Sequence, residues 1–143
     1  MTPVLRHADT ADDIAACFPV MHDLRPHLTD AAELITRVAV QRQESYRILA
    51  AWTGDQVVGL AGYRFQHNLI RGRFCYVDDL VVRPDTRRHR LGARLLDAVA
   101  EVARAEGCAA LVLDTGLDNL LGQRFYFRYG MLPAALRFAL RWS

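Results

Sequence analysis

The sequence has no apolar run approaching the roughly 20 residues that a bilayer-spanning helix needs, so no membrane-spanning segment is expected. It also lacks a Gly/Ser/Pro-rich linker, an internal repeat and a low-complexity tract. No domain boundary is placed, and residues 1–143 are expected to pack as one unit. Cysteine is scarce: Cys17, Cys75 and Cys108 stand far apart, with no CxxC pair and no histidine at ligand spacing. That argues against a disulfide framework and against a zinc site. The five histidines include no helical i, i+4 pair, so no metal site is expected.

A dominant charge is missing too. The formal net charge is only +2, whereas a broad nucleic-acid surface would gather basic residues over one whole face. No nucleic-acid partner is expected. The opening segment MTPVLRHADTADD carries acids and lacks a basic stretch followed by an apolar one, so a secretory signal is not expected and the predicted address is cytoplasmic. What is present is the balance of an ordinary globular chain, 52% hydrophobic and 24% charged. At this length folding buries roughly 70% of the unfolded surface, enough for one sizeable core.

Val4, Leu5 and Arg6 read as a short strand, and Thr10 followed by Asp12 and Asp13 as the start of a helix with acids in its first turn. Ile14, Phe18 and Met21 recur at helical spacing until Pro26. Thr29 and Asp30 open a second helix with Leu34, Ile35 and Val38 on its apolar face. YRILAAW, a turn at Thr53 to Gln56 and VVGLAGYRF predict an antiparallel hairpin, and RFCYVDDLVV a third strand that stops at Arg83-Pro84. A helix from Leu91 closes at Gly107, ALVLD reads as a buried strand, Asp118 or Asn119 caps a helix ending at Gly130, and LRFALRW reads as a final strand. This order predicts a mixed α/β sheet with helices on both faces.

The stretch VVRPDTRRHRLGARLL concentrates Arg83, Arg87, Arg88, Arg90 and Arg94 between a strand and the first turn of a helix. The first N–H groups of a helix have no intrahelical partner, and with the positive end of the helix dipole they attract anions. Arginines beside them suit phosphate oxygens. Neither GxxxxGK[ST] nor GxGxxG is present, so the expected ligand is a phosphate-bearing one of another kind.

This segment resembles the acyl-CoA pyrophosphate loop of the GNAT superfamily of N-acetyltransferases, Q/R-x-x-G-x-G/A, with Arg87, Arg90 and Gly92 on its three marked positions. Arg90 departs from the pattern, standing where the family usually has glycine. NLLGQRFYFRYGM is similar to the later family signature N-x-x-A-x-x-F-Y-x-x-x-G-F through Asn119, Gly122, Phe125, Tyr126, Gly130 and Met131. The resemblance covers nearly the whole chain and is strongest to bacterial small-amine acetyltransferases, including those acting on aminoalkylphosphonates. It implies a GNAT-like, mostly antiparallel sheet with a splayed cleft for acyl-CoA, acetyl-CoA as cosubstrate, and direct attack by an amine in a ternary complex.

The resemblance also implies roles. Leu80, Val81 and Val82 would meet the pantetheine arm through their backbone, while Arg87, Arg88, His89, Arg90, Leu91, Gly92 and Ala93 would hold the pyrophosphate. Tyr126 falls on the family's general-acid position, and Asn119 caps its helix and is placed to bond the CoA arm. Within RFCYVDDLVV, strand alternation puts Asp78 on the face of Tyr76, Leu80 and Val82, and Asp79 on the other. A carboxylate there would attract an ammonium and take its proton, and which of Asp78 and Asp79 does so is left open. Leu24 and His27, on the first helical hairpin, are further candidates for the acceptor pocket, expected to take a small-molecule amine. A non-catalytic acyl-CoA-binding module, or an enzyme acting on a protein N-terminus or lysine, is the alternative. Homodimerisation is common in the family and is not decided by these residues.

Overall fold

The computed structural model describes residues 2–143, apart from the side chains of Arg87, Arg88 and His89. Its strands are β1 (Val4–His7), β2 (Arg47–Thr53), β3 (Gln56–Asn68), β4 (Gly72–Val82) and β5 (Leu111–Leu113). They form one sheet in the order β1-β2-β3-β4-β5, antiparallel from β1 to β4. The helices are α1 (Ala11–Leu24), α2 (Ala31–Gln41), α3 (Leu91–Ala105) and α4 (Leu120–Tyr129). Packing divides the chain into two compact units, one running through Val112 and one from Leu113 to Ser143.

In the first unit, local chemistry sets the helix starts. Thr10 Oγ1 accepts from the Asp13 amide at 3.1 Å, and Asp30 Oδ1 accepts from the Glu33 amide at 2.8 Å while Glu33 reaches back to the Thr29 amide. Each bond satisfies an N–H that the helix leaves without a partner. The apolar stripes Ile14, Cys17, Met21 and Leu34, Val38 then close over Ile48, Ala50 and Trp52 of β2 and Leu60 of β3. The other face of the sheet takes α3, whose Leu91 lies 3.2 Å from where a side chain on Gly59 would begin. Helices thus cover both faces, and the sequence-based order is right through α4.

The sheet departs from regularity at one place that matters. Val77 pairs with Tyr63 and Asp79 with Gly62, so Asp78 is an extra residue with no partner on β3. This is a β-bulge, and it breaks the strict alternation that the sequence-based placement of Asp78 and Asp79 on opposite faces assumed.

In the second unit, Asn119 Oδ1 accepts from the Gly122 amide at 3.0 Å to cap α4, and Gly130 ends it at φ 106°. Asp114 pairs with Arg137. The expected strand LRFALRW is not formed: residues 131–143 adopt neither helix nor strand. Alternation alone does not make a strand, because its amides and carbonyls need a paired neighbour. Leu136, Phe138, Leu140 and Trp142 are left exposed. Likewise β5 is half-buried rather than the fully buried strand its apolar sequence predicts.

Candidate active site

The bulge turns both acids of β4 toward one cavity of about 330 Å³, which they line together with Arg25, His27, Arg37 and Tyr46. Its apolar lining is Met21, Leu28, Leu34 and Val38, all at most 4% exposed. Asp79 is the deeper acid. Its Oδ2 accepts from the Tyr46 hydroxyl at 2.6 Å, and its Oδ1 from Arg25 Nε at 3.0 Å. Arg25 also donates to the Asp78 carbonyl at 2.7 Å, so one guanidinium at the end of α1 spans the bulge. Burial and the adjacent Asp79 charge push the Tyr46 phenol well above its ordinary value, which keeps it a donor.

Asp78 is only half-buried, and both its oxygens accept from Arg64 on β3, at 2.8 Å each. Burial nevertheless holds its carboxyl above the ordinary carboxylate value, against the pull of Arg64. The two acids are therefore unequal. Asp79 is held by Tyr46 and Arg25, and Asp78, its side chain 18% exposed, is held by Arg64 and binds a proton more readily than a free carboxylate.

Gly62 makes this arrangement possible. A methyl group there would sit 2.0 Å from the Tyr46 hydroxyl oxygen and 2.8 Å from Asp79 Oδ2. Tyr46, Arg25 and Arg64 do not stand out in the sequence. The available signal is that two adjacent acids inside a strand need compensation once partly buried, but spacing does not say by which cations. Of the expected acceptor residues, His27 lines the cavity; Leu24, the last residue of α1, does not, its place being taken by Met21 and Arg25.

At the far end of β4, Leu80, Val81 and Val82 face Ala61, Leu60 and Gly59 of β3. A 3₁₀ turn, Pro84–His89, leads to α3. The side chains expected at Arg87, Arg88 and His89 lie outside the described ones. Arg90 adopts φ 53°, ψ 31°, the left-handed conformation that glycine takes most easily. Where the family pattern has glycine, this chain thus places an arginine in a conformation that glycine would take without strain. Leu91 is fully buried, so only its backbone can meet a ligand, whereas Gly92 and Ala93 are partly open. Not all of the basic cluster is available: Arg94 donates to the Pro3 carbonyl at 3.0 Å, and Arg83 pairs with Asp85 at 3.5 Å.

The start of α3 differs from the others. Side chains cap α1, α2 and α4, whereas among the described residues none caps α3 and its first turn holds no acid. Uncapped N–H groups beside a cationic Arg90 suit an anion.

On α4, Tyr126 is half-buried with its ring 5.3 Å from that of Phe125, and burial raises its phenol above the ordinary value. It stays protonated at neutral pH. Asn119 uses both ends of its amide locally, accepting from Gly122 and donating to Thr115 Oγ1 at 3.0 Å. Among the described residues no group of three His, Cys, Asp or Glu side chains could hold a metal ion, and no helix is long and apolar enough to cross a membrane.

Comparison with known proteins accords with this geometry. The chain is 26% identical over 122 residues to the uncharacterized N-acetyltransferase YhdJ of Bacillus subtilis, covering 85% of this chain and 86% of that protein. It is 27% identical over 135 residues to the aminoalkylphosphonate N-acetyltransferase of Salmonella typhimurium, covering 94% and 88%. The fold matches the crystal structure of glucosamine-6-phosphate N-acetyltransferase from Arabidopsis thaliana with a TM-score of 0.80, at 17% identity and 100% coverage of both chains. The model of the acetyltransferase (GNAT) family matches residues 8–131, a span that holds both the β4 acids and Tyr126, and the chain belongs to this family of acyl-CoA-dependent N-acetyltransferases.

Proposed function

We propose that residues 1–143 work as one N-acetyltransferase domain that moves an acetyl group from acetyl-CoA to the primary amine of a small molecule, by direct attack in a ternary complex. The observation that carries this reading is the start of α3, beside the left-handed Arg90: among the described residues no side chain caps it, whereas α1, α2 and α4 are each capped by one. The amides of Leu91, Gly92 and Ala93 and the Arg90 side chain would hold the pyrophosphate, and the backbone of Leu80 to Val82 the pantetheine arm.

Asp78 takes a proton from the acceptor's ammonium, and the free amine attacks the thioester carbonyl carbon. The C–N bond forms, the C–S bond breaks, Tyr126 supplies the proton that leaves with the CoA thiol, and the proton shed by the nitrogen as the neutral amide forms restores the phenol. The raised Asp78 carboxyl and the protonated Tyr126 phenol both suit these roles. Asp79, already engaged by Tyr46 and Arg25, positions the strand and the pocket rather than transferring protons. A cytoplasmic address follows from substrate and cosubstrate. A second copy of the chain is the proposed cover for Leu136, Phe138, Leu140 and Trp142, and sedimentation at micromolar concentration, where a monomer would refute it, is the test.

The test of function is thiol release from acetyl-CoA over a panel of small amines, amino acids, aminophosphonates and short peptides, for wild type and Tyr126→Phe. Turnover with small amines that drops in the variant, while acetyl-CoA still binds, supports the proposal. Turnover with peptides alone would move the acceptor class to proteins, and binding without any turnover would make the chain an acyl-CoA-binding module.

A further inference from the structure

The cavity of α1, α2 and β4 is lined by charges of both signs. Asp78 and Asp79 come from β4, Arg25 from the end of α1 and Arg37 from α2, around the apolar side chains of Leu28, Leu34 and Val38. Both cations keep donors beyond those the fold uses. Among the described residues Arg37 bonds through Nε alone, to Glu33 Oε2 at 2.9 Å, leaving both its Nη groups for a ligand. Arg25 uses Nε and Nη2 on the β4 acids and keeps Nη1. A guanidinium carries five donors in a fixed fork, which matches the oxygens of a carboxylate or phosphonate.

Carboxylates alone would draw any amine, including polyamines, and guanidiniums alone would repel an ammonium. A cavity holding both, at about 330 Å³, suits a small molecule with one charge of each sign. We propose that the acceptor is a zwitterionic amine, a primary ammonium joined by a short aliphatic spacer to a carboxylate or phosphonate, with Arg37 and Arg25 as the groups that select the acid. The apolar lining receives the spacer. A plain alkylamine leaves the guanidiniums without an anion, and a diamine sets its second ammonium against them. For the reaction this rests on the acetyl-transfer reading above; for the ligand it rests on the cavity alone.

The test compares acceptors on one three-carbon chain: propylamine, 3-aminopropanoate, 3-aminopropylphosphonate and 1,3-diaminopropane. Both acidic amines should exceed propylamine in kcat/KM by about tenfold or more, with the diamine lowest. In Arg37→Gln that ratio should collapse toward unity through the KM of the acidic amines, and Arg37→Lys should restore part of it. Phosphonate ahead of carboxylate would assign the more highly charged group. The proposal is overturned if propylamine or the diamine equals the acidic amines, or if Arg37→Gln keeps their advantage. Should no acceptor be acetylated, the catalytic reading fails but calorimetry still decides the ligand. Binding of 3-aminopropylphosphonate that Arg37→Gln abolishes upholds the cavity's assignment, and no binding to wild type overturns it.

Discussion

The Tyr46 hydroxyl lies 2.6 Å from Asp79 Oδ2, in space that only a glycine at position 62 leaves open. Three parts of the chain meet at this point: the residue just before β2, the middle of β3 and the bulge of β4. Both variants that disturb it should lower stability. Tyr46→Phe leaves a buried carboxylate short of one donor, a loss of about 1–3 kcal/mol. Gly62→Ala forces Tyr46 aside and should cost about as much through overpacking. Urea unfolding of the two variants checks this, and unchanged midpoints would mean that the contact is not formed in solution.

Asp78 should set the acidic limb of kcat/KM. A base works only when ionised, and burial holds this carboxyl above its ordinary 3.8, so activity should fall on acidification at a pH above that value. Arg64→Gln removes the hydrogen bonds and charge that pull the carboxyl down, and the limb should move further toward neutral pH. Asp78→Asn should abolish the limb together with most of the activity. A pH–rate profile of the three proteins separates these outcomes.

Tyr126→Phe should reduce kcat by about a hundredfold without abolishing it, since a thiolate needs only modest help to leave. The KM for acetyl-CoA should change little. Because burial raises the wild-type phenol above its ordinary 10.0, kcat should show no alkaline decline from this group until pH exceeds that value. A decline near neutrality would assign the acid elsewhere.

Arg90→Gly separates backbone from charge. An L residue in the left-handed region costs about 1–2 kcal/mol, so glycine should raise the melting temperature by a few degrees. Removing the guanidinium should at the same time raise the KM for acetyl-CoA several-fold. Stability and cofactor affinity moving in opposite directions is the expected signature.

Much of the fold was legible because it rests on local rules. Thr10, Asp30 and Asn119 announce their helices, and the buried faces of α1, α2 and α3 follow from spacing. Pro19 lies inside α1, yet the packed face of Ile14, Cys17, Val20 and Met21 carries the helix through it. The site was legible as a place and only partly as an arrangement. Asp78 and Asp79 stood out as neighbouring acids, but the bulge that points both into one cavity depends on how β4 pairs with β3, a non-local fact. For the same reason Arg25 and Arg64 gave no signal, each lying more than ten residues from its acid. LRFALRW misled because alternation describes one strand, while a sheet takes two.

The bulge also bears on how this site could arise or be erased. Without Asp78, Val77 and Asp79 would face Tyr63 and Gly62 as consecutive pairs, and the β3–β4 ladder would run on without interruption. The proposed base is thus the one residue by which β4 exceeds β3 at this point of the ladder. Deleting that single codon, rather than substituting it, would give a chain whose framework is more regular than the parent and whose proposed chemistry is gone.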